Sequence, residues 1–193
     1  MISRDPIARF AEEFARAERA EPFEASRCAL ATADGEGRPS VRFVLLKGFD
    51  DRGFVFYTNF ESRKGKELAD NPHAALAFHW HTTGVQVRVS GEVSRVADAE
   101  ADSYFATRDR GSQIGAWASR QSAELTTRTT LDVQVVEARK RFEDVSVSRP
   151  PFWGGYRIAA SSIEFWENRG DRLHDRRLYH RDETGWRSVA LYP

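Results

Sequence analysis

The sequence has 193 residues, a length that suits one domain or one domain with additions. Lys and Arg total 29, and Asp and Glu total 29, so no global field draws the protein to nucleic acid or to a membrane surface; its basic residues matter locally. A single cysteine, Cys28, excludes an internal disulfide and a cysteine-only metal site, and its place in "SRCALAT" leaves a buried packing residue or a reactive thiol.

The opening segment "MISRDPIARFAEEF" holds no apolar run of signal-peptide length, and no stretch approaches a membrane span, so a cytoplasmic protein is expected. Ile7, Phe10, Phe14 and Ala17 recur at helical spacing and predict an amphipathic helix over 6–19. "EASRCALATAD" reads as a strand ending at Asp34-Gly35, and residues 40–60 read as two strands joined around Gly48 to Gly53. Along the first of these, Arg42, Val44 and Leu46 share one face, while Val41, Phe43, Leu45 and Lys47 share the other. Ser62 is a cap for a short helix over 63–70 that Asn71-Pro72 stops.

Two strands follow, "HAALAFHW" and "VQVRVSG", the second with the alternation of a half-buried strand. Residues 98–141 read mostly as helices with a turn at Arg110 to Ser112, and "VSRPPFWGG" reads as a rigid connector. The tail returns to strands: "GYRIAASSIEFW", "DRLHDRRLYHR", and "GWRSVALYP" after an Asp-Glu-Thr-Gly turn. Early strands, a helical insertion and late strands predict one antiparallel barrel or sandwich spanning 1–193, which the C-terminus completes. No Gly-rich fingerprint sits between a strand and a helix, which argues against a Rossmann domain.

Several basic clusters need explaining. Arg63 and Lys64 occupy the first turn of the short helix, where backbone N–H groups are unpaired and an anion is favoured; a solvated basic turn is the alternative. Arg42 and Lys47 interrupt an apolar strand, either to meet an anion or to pair with Asp or Glu. If 172–177 is a strand, Arg172, His174 and Arg176 point the same way, and either carboxylates on a neighbouring strand or a bound anion must answer them. His73, His79 and His81 lack the Cys, Asp or Glu that would complete a zinc spacing, so no metal site is expected. No GxSxG elbow presents a nucleophile.

"RFVLLKGFDDRGFVFYTNFESRKGKEL", "SYFATRDRGSQIGAWASRQS" and "FWGGYRIAASSIEFWENRGDRLHDRRLYHR" resemble the motifs of the pyridoxine/pyridoxamine 5'-phosphate oxidases, and the likeness runs from about residue 28 to the C-terminus. The resemblance implies a mainly β fold with packed helices, a split β-barrel, and a homodimer with FMN in clefts between subunits. Carried over motif by motif, it implies that Arg42, Arg63, Lys64 and Ser122 hold the FMN phosphate with Gln121 beside it. Tyr57, Thr58 and Gln86 would line the flavin, and Trp166 and Arg176 would reach it from the facing subunit. Lys47, Tyr104, Arg108 and Ser112 would meet the substrate phosphate, with Lys47 also against the cofactor. Arg172 and His174 would sit over the pyridine ring as the catalytic pair.

Two departures stand out. The family's early lid residues, an Arg and a Tyr, have no counterpart, and Val85 stands where the family usually carries an Arg before the Gln. The implied activity is FMN-dependent oxidation of pyridoxine or pyridoxamine 5'-phosphate to pyridoxal 5'-phosphate, with molecular oxygen as acceptor and hydrogen peroxide as product. The alternatives are a phenazine-biosynthesis-type oxidase of tricyclic dihydro intermediates and a non-catalytic flavin or B6-vitamer binder. Retention of Lys47, Tyr104, Arg108 and Ser112 favours a phosphorylated small-molecule substrate.

Overall fold

In the computed structural model, which describes residues 5–193, the chain opens with the expected helix, α1 (Pro6–Ala20). The first four residues of the segment searched for a leader lie outside the described residues. Asp5 caps α1 by accepting the Ile7 N–H at 2.9 Å, and a proline in the first turn wastes no donor. The apolar stripe of α1 turns inward. Phe10 is fully buried, its ring edge-on to Phe49, Phe54 and Phe78 with centroids 4.8, 4.9 and 5.1 Å away. Burial of such a ring stabilises the fold by roughly 2–3 kcal/mol, which is what holds α1 against the sheet.

That sheet has nine strands among the described residues: β1 (Arg27–Ala33), β2 (Pro39–Leu45), β3 (Gly48–Asp50), β4 (Gly53–Asn59), β5 (His73–Trp80), β6 (Val85–Arg95), β7 (Trp153–Glu167), β8 (Asp175–Asp182) and β9 (Gly185–Leu191). The order is β2-β1-β5-β6-β7-β4-β3, with β8 and then β9 attached to β7 as a second branch. All neighbours are antiparallel.

The branching comes from β7. Its first half, Trp153 to Ile158, pairs with β4, whereas Ser162 to Glu167 pairs with β8 on the same edge. Strand β6 follows β7 along the other edge, with a bulge between Ser90 and Gly91 where the direction changes. One branch curls until β4 touches β2, and the other projects as the β8–β9 hairpin. This is the split barrel. Alternation in β6 buries Val85, Val87 and Val89 inside it.

Helix α2 (Arg63–Asp70) starts at Ser62, whose hydroxyl accepts the Gly65 N–H, and ends at Asn71, as the sequence predicts. Helices α3 (Asp98–Thr107), α4 (Arg110–Ala118) and α5 (Arg128–Arg141) pack Phe105, Ile114, Ala118, Ala138 and Phe142 against Val147 and Trp153 as a separate apolar cluster.

Three expectations need correction. The break in the helical stretch falls at Arg108-Asp109, because Asp109 accepts the Ser112 N–H at 2.8 Å; residues 110–112 are therefore the first turn of α4. The connector ends earlier than expected, at Pro151-Phe152, since Trp153 to Gly155 already pair with Asn59, Thr58 and Tyr57. Gly155 suits that register because a Cβ there would run into the Tyr57 ring at 2.7 Å. Lastly, 172–177 is not one strand. Gly170 to Arg172 form a single 3-10 turn in which Asp171 and Arg172 adopt φ 54° and 60°, and β8 begins only at Asp175. Arg172, His174 and Arg176 therefore do not share a face by strand alternation.

Candidate active site

Strands β2 and β4 and helices α2 and α4 border a cleft of about 1030 Å³. Arg42, Lys47, Tyr57, Thr58, Arg63, Lys64, Tyr104, Arg108, Ser112, Gln121 and Ser122 all line it, residues spread over 81 positions (42 to 122) of sequence.

One end of the cleft is cationic. Lys64 lies in the first turn of α2 and is buried. Its ammonium donates to Thr58 Oγ1 at 3.1 Å, Ser62 Oγ at 3.2 Å and Gln121 Oε1 at 3.4 Å. Burial, reinforced by the nearby Arg42 charge and opposed by Glu67, pulls the amine down to about 8. Arg42 and Arg63 share one carboxylate: Arg42 Nη2 lies 3.0 Å from Glu67 Oε2, and Arg63 Nε lies 2.8 Å from Glu67 Oε1. Thr32 and Ser40 also donate to Glu67 Oε2. Burial acts to raise the Glu67 carboxyl, but the bonds from Ser40, Thr32, Arg63 and Arg42 outweigh it and hold it at about 2. The pairing alternative for Arg42 thus describes its state here, with a carboxylate that orients it toward the cleft rim.

The other end is aromatic. Tyr57 stacks on Tyr104 with centroids 3.9 Å apart and on Trp153 at 5.5 Å, all nearly parallel. Arg108 lies over Trp153 at 4.7 Å, and its Nη1 is buried with no hydrogen-bond partner among the described residues. Burial lowers the Arg108 pKa and raises those of Tyr57 and Tyr104. Arg108 and Ser112 both line the open cleft, where the guanidinium's other N–H groups can meet an anion. Lys47, just past β2, has only a distant partner, Glu24 at 3.8 Å.

Gln86, Trp166, Arg172, His174 and Arg176 do not line the cleft. They form a second group on the β6–β7–β8 branch. Gln86 faces Trp166 across β6–β7, Trp166 faces Arg176 across β7–β8, and the His174 ring lies 4.3 Å from the Trp166 ring. Within one chain Gln86 therefore lies beside Trp166 and apart from Tyr57 and Thr58. Arg176 Nε donates to Glu164 at 2.9 Å, which answers its charge through a neighbouring strand. The backbone N–H of Arg169 donates to His174 Nδ1 at 3.3 Å, which ties the ring to the turn's first strand end. Arg172 is exposed on its left-handed turn.

Sequence reasoning missed Glu67, Glu164 and Trp153. Glu67 had a signal, four residues after Arg63 on the same helix face. Glu164 and Trp153 had none, since their roles arise from cross-strand neighbours. Cys28 is settled as a packing residue: burial pushes its thiol up to about 12. No group of three or more His, Cys, Asp or Glu converges among the described residues, and no helix there is long and apolar enough to cross a membrane.

Comparison with known proteins accounts for this arrangement. A family model described as pyridoxamine 5'-phosphate oxidase matches residues 14–142, and one described as the pyridoxine 5'-phosphate oxidase C-terminal dimerisation region matches 153–193, the β7–β9 branch. The pyridoxine/pyridoxamine 5'-phosphate oxidase of Myxococcus xanthus (strain DK1622) is 53% identical over 193 residues, covering 100% of this chain and 94% of its own. That of Rubrobacter xylanophilus is 54% identical over 189 residues, covering 98% of this chain and 87% of its own. Among solved structures, PhzG from Burkholderia lata 383, in complex with tetrahydrophenazine-1-carboxylic acid, superposes with a TM-score of 0.93 at 34% identity, covering 100% of this chain and 94% of that one. Two matched regions that between them take in both the cleft and the β7–β9 branch, together with relatives at half identity over nearly full length, give one answer: the chain belongs to the pyridoxine/pyridoxamine 5'-phosphate oxidase family.

Proposed function

We propose that the protein is an FMN-dependent oxidase that converts pyridoxine or pyridoxamine 5'-phosphate to pyridoxal 5'-phosphate. The observation that carries this reading is the division of the cleft into two cationic ends, with Lys64, Arg42 and Arg63 at one and Lys47 and Arg108 at the other. A phosphorylated cofactor and a phosphorylated substrate need two such ends, separated by a flat aromatic wall such as Tyr57, Tyr104 and Trp153 provide.

The residues fit FMN on their chemistry. Lys64 keeps its ammonium in a dehydrated site beside an open helix N-terminus, a favourable arrangement for a phosphate. Arg42 and Arg63 supply planar forks, and Thr58, Gln121 and Ser122 supply neutral polar contacts around them. The chemistry bound FMN would supply is acceptance of a hydride, two electrons with one proton, from the substrate's C4' and its passage to dioxygen, which with the proton lost by the substrate's hydroxyl or amine gives hydrogen peroxide.

At the substrate end, Lys47, Tyr104, Arg108 and Ser112 bind the phosphate, which fixes the direction of C4'. Gln86, Trp166 and Arg176 reach the same cofactor from the other protomer of a homodimer built through the β7–β9 branch, a reading supported by the match of 153–193 to a dimerisation region. Arg172 and His174 come with them. Arg172 offers a fixed positive charge over the pyridine ring, and His174 hydrogen-bonds the substituent at C4' or its neighbour. With the amine substrate, water completes hydrolysis of the oxidised product and ammonia leaves.

The test is anaerobic stopped-flow mixing of the yellow protein with pyridoxine 5'-phosphate and, separately, pyridoxamine 5'-phosphate. Rapid bleaching with pyridoxal 5'-phosphate formed is expected. The likeness to PhzG, solved with a tricyclic acid, keeps one alternative substrate class in view. Bleaching by a dihydrophenazine carboxylate and by neither vitamer overturns the proposal in its favour.

A further inference from the structure

The Gly170–Leu173 turn leaves the sheet between two carboxylates. Glu167 ends β7 and Asp175 begins β8, and the two are register partners, directly opposite each other across the strand pair. Like charges so placed push the strand ends apart. Between them stands Arg169. Its Nη2 lies 3.2 Å from Glu167 Oε2 and its Nε lies 2.6 Å from Asp175 Oδ2. The other oxygen of Glu167, Oε1, is held by Arg9 of α1 at 2.7 Å, and the Arg9 guanidinium lies 4.2 Å over the Phe165 ring. The result is a chain of ionic contacts, Arg9–Glu167–Arg169–Asp175, which runs from the buried face of α1 across the mouth of the turn.

The same residue reaches the turn through its backbone. The Arg169 N–H donates to His174 Nδ1, while the neighbouring Asn168 N–H is fixed to Gly84 O at 2.8 Å. Asp171 and Arg172 hold left-handed φ angles, which non-glycine residues keep only where their surroundings dictate it. Inside the turn itself little does so: Leu173 N–H to Gly170 O at 3.0 Å is its internal backbone bond, and residues 170–173 are exposed. The constraint therefore comes from the two ends, and Arg169 joins them.

We propose that Arg169 is a positioning residue: by bridging Glu167 and Asp175 it holds the two ends of the turn at the separation that aims Arg172 and His174 at the substrate. This rests on the reading of Arg172 and His174 as substrate-facing groups. Both bridges of Arg169 are solvent-exposed, with its side chain 55% accessible, so they add little to global stability; their effect is on geometry.

The experiment uses the FMN-loaded protein at low ionic strength, where exposed ion pairs are least screened. Arg169→Met is expected to slow anaerobic flavin reduction about tenfold, the order of effect of a sub-ångström to ångström misplacement. FMN dissociation should stay within about twofold of the parent, and Tm should move by less than about 4 °C. Adding Asp175→Asn to Arg169→Met removes the facing like charge while leaving Arg9–Glu167 intact. This double variant should recover to within about threefold of the parent, a rescue that loss of side-chain bulk does not predict. Arg169→Met reducing at the parent rate, or a double variant no faster than the single, overturns the proposal. Arg172→Leu in the same series separates the failures. If it keeps the parent rate, the reading of the turn is wrong; if it is slow while Arg169→Met is not, only the bridging role falls.

Discussion

The cleft and the 170–173 turn hold their cations under opposite conditions. In the cleft, Lys64 is buried within a sheet-and-helix frame with three fixed acceptors, and Arg42 and Arg63 converge on a single buried carboxylate. On the turn, Arg172 is exposed on a left-handed residue, with its bracing two or three residues away. A preorganised cation binds an anion without the cost of ordering it, which suits a cofactor that stays. A cation on strained, lightly packed backbone suits a substrate that arrives and leaves. The two regions should therefore fail differently when mutated.

The largest separation is expected at Arg172. Arg172→Leu should lower the rate of flavin reduction by roughly 100-fold or more, the range for loss of a preorganised charge at a reacting centre. FMN retention should be nearly unchanged. Rapid-mixing absorbance and equilibrium flavin fluorescence report the two quantities. Equal loss in both would erase the distinction between the regions.

Next is Glu67, where the effect should be on the fold. Glu67→Ala leaves Arg42 and Arg63 without the buried carboxylate they share and should cost about 2 kcal/mol by urea unfolding of the FMN-free protein. Its carboxyl is held at about 2, below the ordinary value of 4.5, so the native state binds fewer protons than the unfolded chain between those values. The stability it contributes is thus complete above about pH 5 and lost as pH falls toward 2. Glu67→Ala should flatten that part of the acid limb. A variant that unfolds along the parent's acid limb would show that the Glu67 network is not what holds the cationic end.

Lys47→Met comes third. Among the described residues Lys47 is ion-paired with Glu24 at 3.8 Å, and on the proposed reading it meets the substrate phosphate, so its loss should raise KM for the phosphorylated substrate about tenfold with kcat little changed. Unchanged KM would remove Lys47 from the phosphate contact.

The same contrast governs what the sequence disclosed. The elements came through because their signals are local: Ser62 and Asn71 bound α2, and Val85, Val87 and Val89 alternate along β6. The cleft's residues were legible from the family motifs, and the structure brings eleven of them together. The turn was misread. The alternation of Arg172, His174 and Arg176 mimics a strand, and nothing in "GDRLHD" announces φ 54° and 60° at Asp171 and Arg172. Those angles are imposed from outside, by pairing of Glu167 with Asp175 and by the Gly84 contact. Glu164 escaped for a related reason: which cation a carboxylate answers depends on strand register, as Arg176 opposite Trp166 and beside Glu164 shows.

The smallest effect is the one that most sharpens the comparison, because a single group should move two measurements in opposite directions. Burial holds the Lys64 amine at about 8 rather than 10.5, so above pH 8 the native protein releases a proton that the unfolded chain keeps. In the FMN-free protein the dehydrated charge is a cost, and stability should rise as pH climbs from about 8 toward 10.5. FMN binding has the reverse sign. The phosphate favours the charged amine, so above pH 8 binding must take up a proton, and affinity should weaken by up to about tenfold per pH unit until the amine's value in the complex is reached. Between pH 7 and pH 9, FMN dissociation should therefore increase several-fold while the urea midpoint of the FMN-free protein rises slightly. Lys64→Met should remove both slopes, and riboflavin, which lacks the phosphate, should show no such loss of affinity with the parent. Parallel slopes for FMN and riboflavin would mean that the buried ammonium does not face the phosphate.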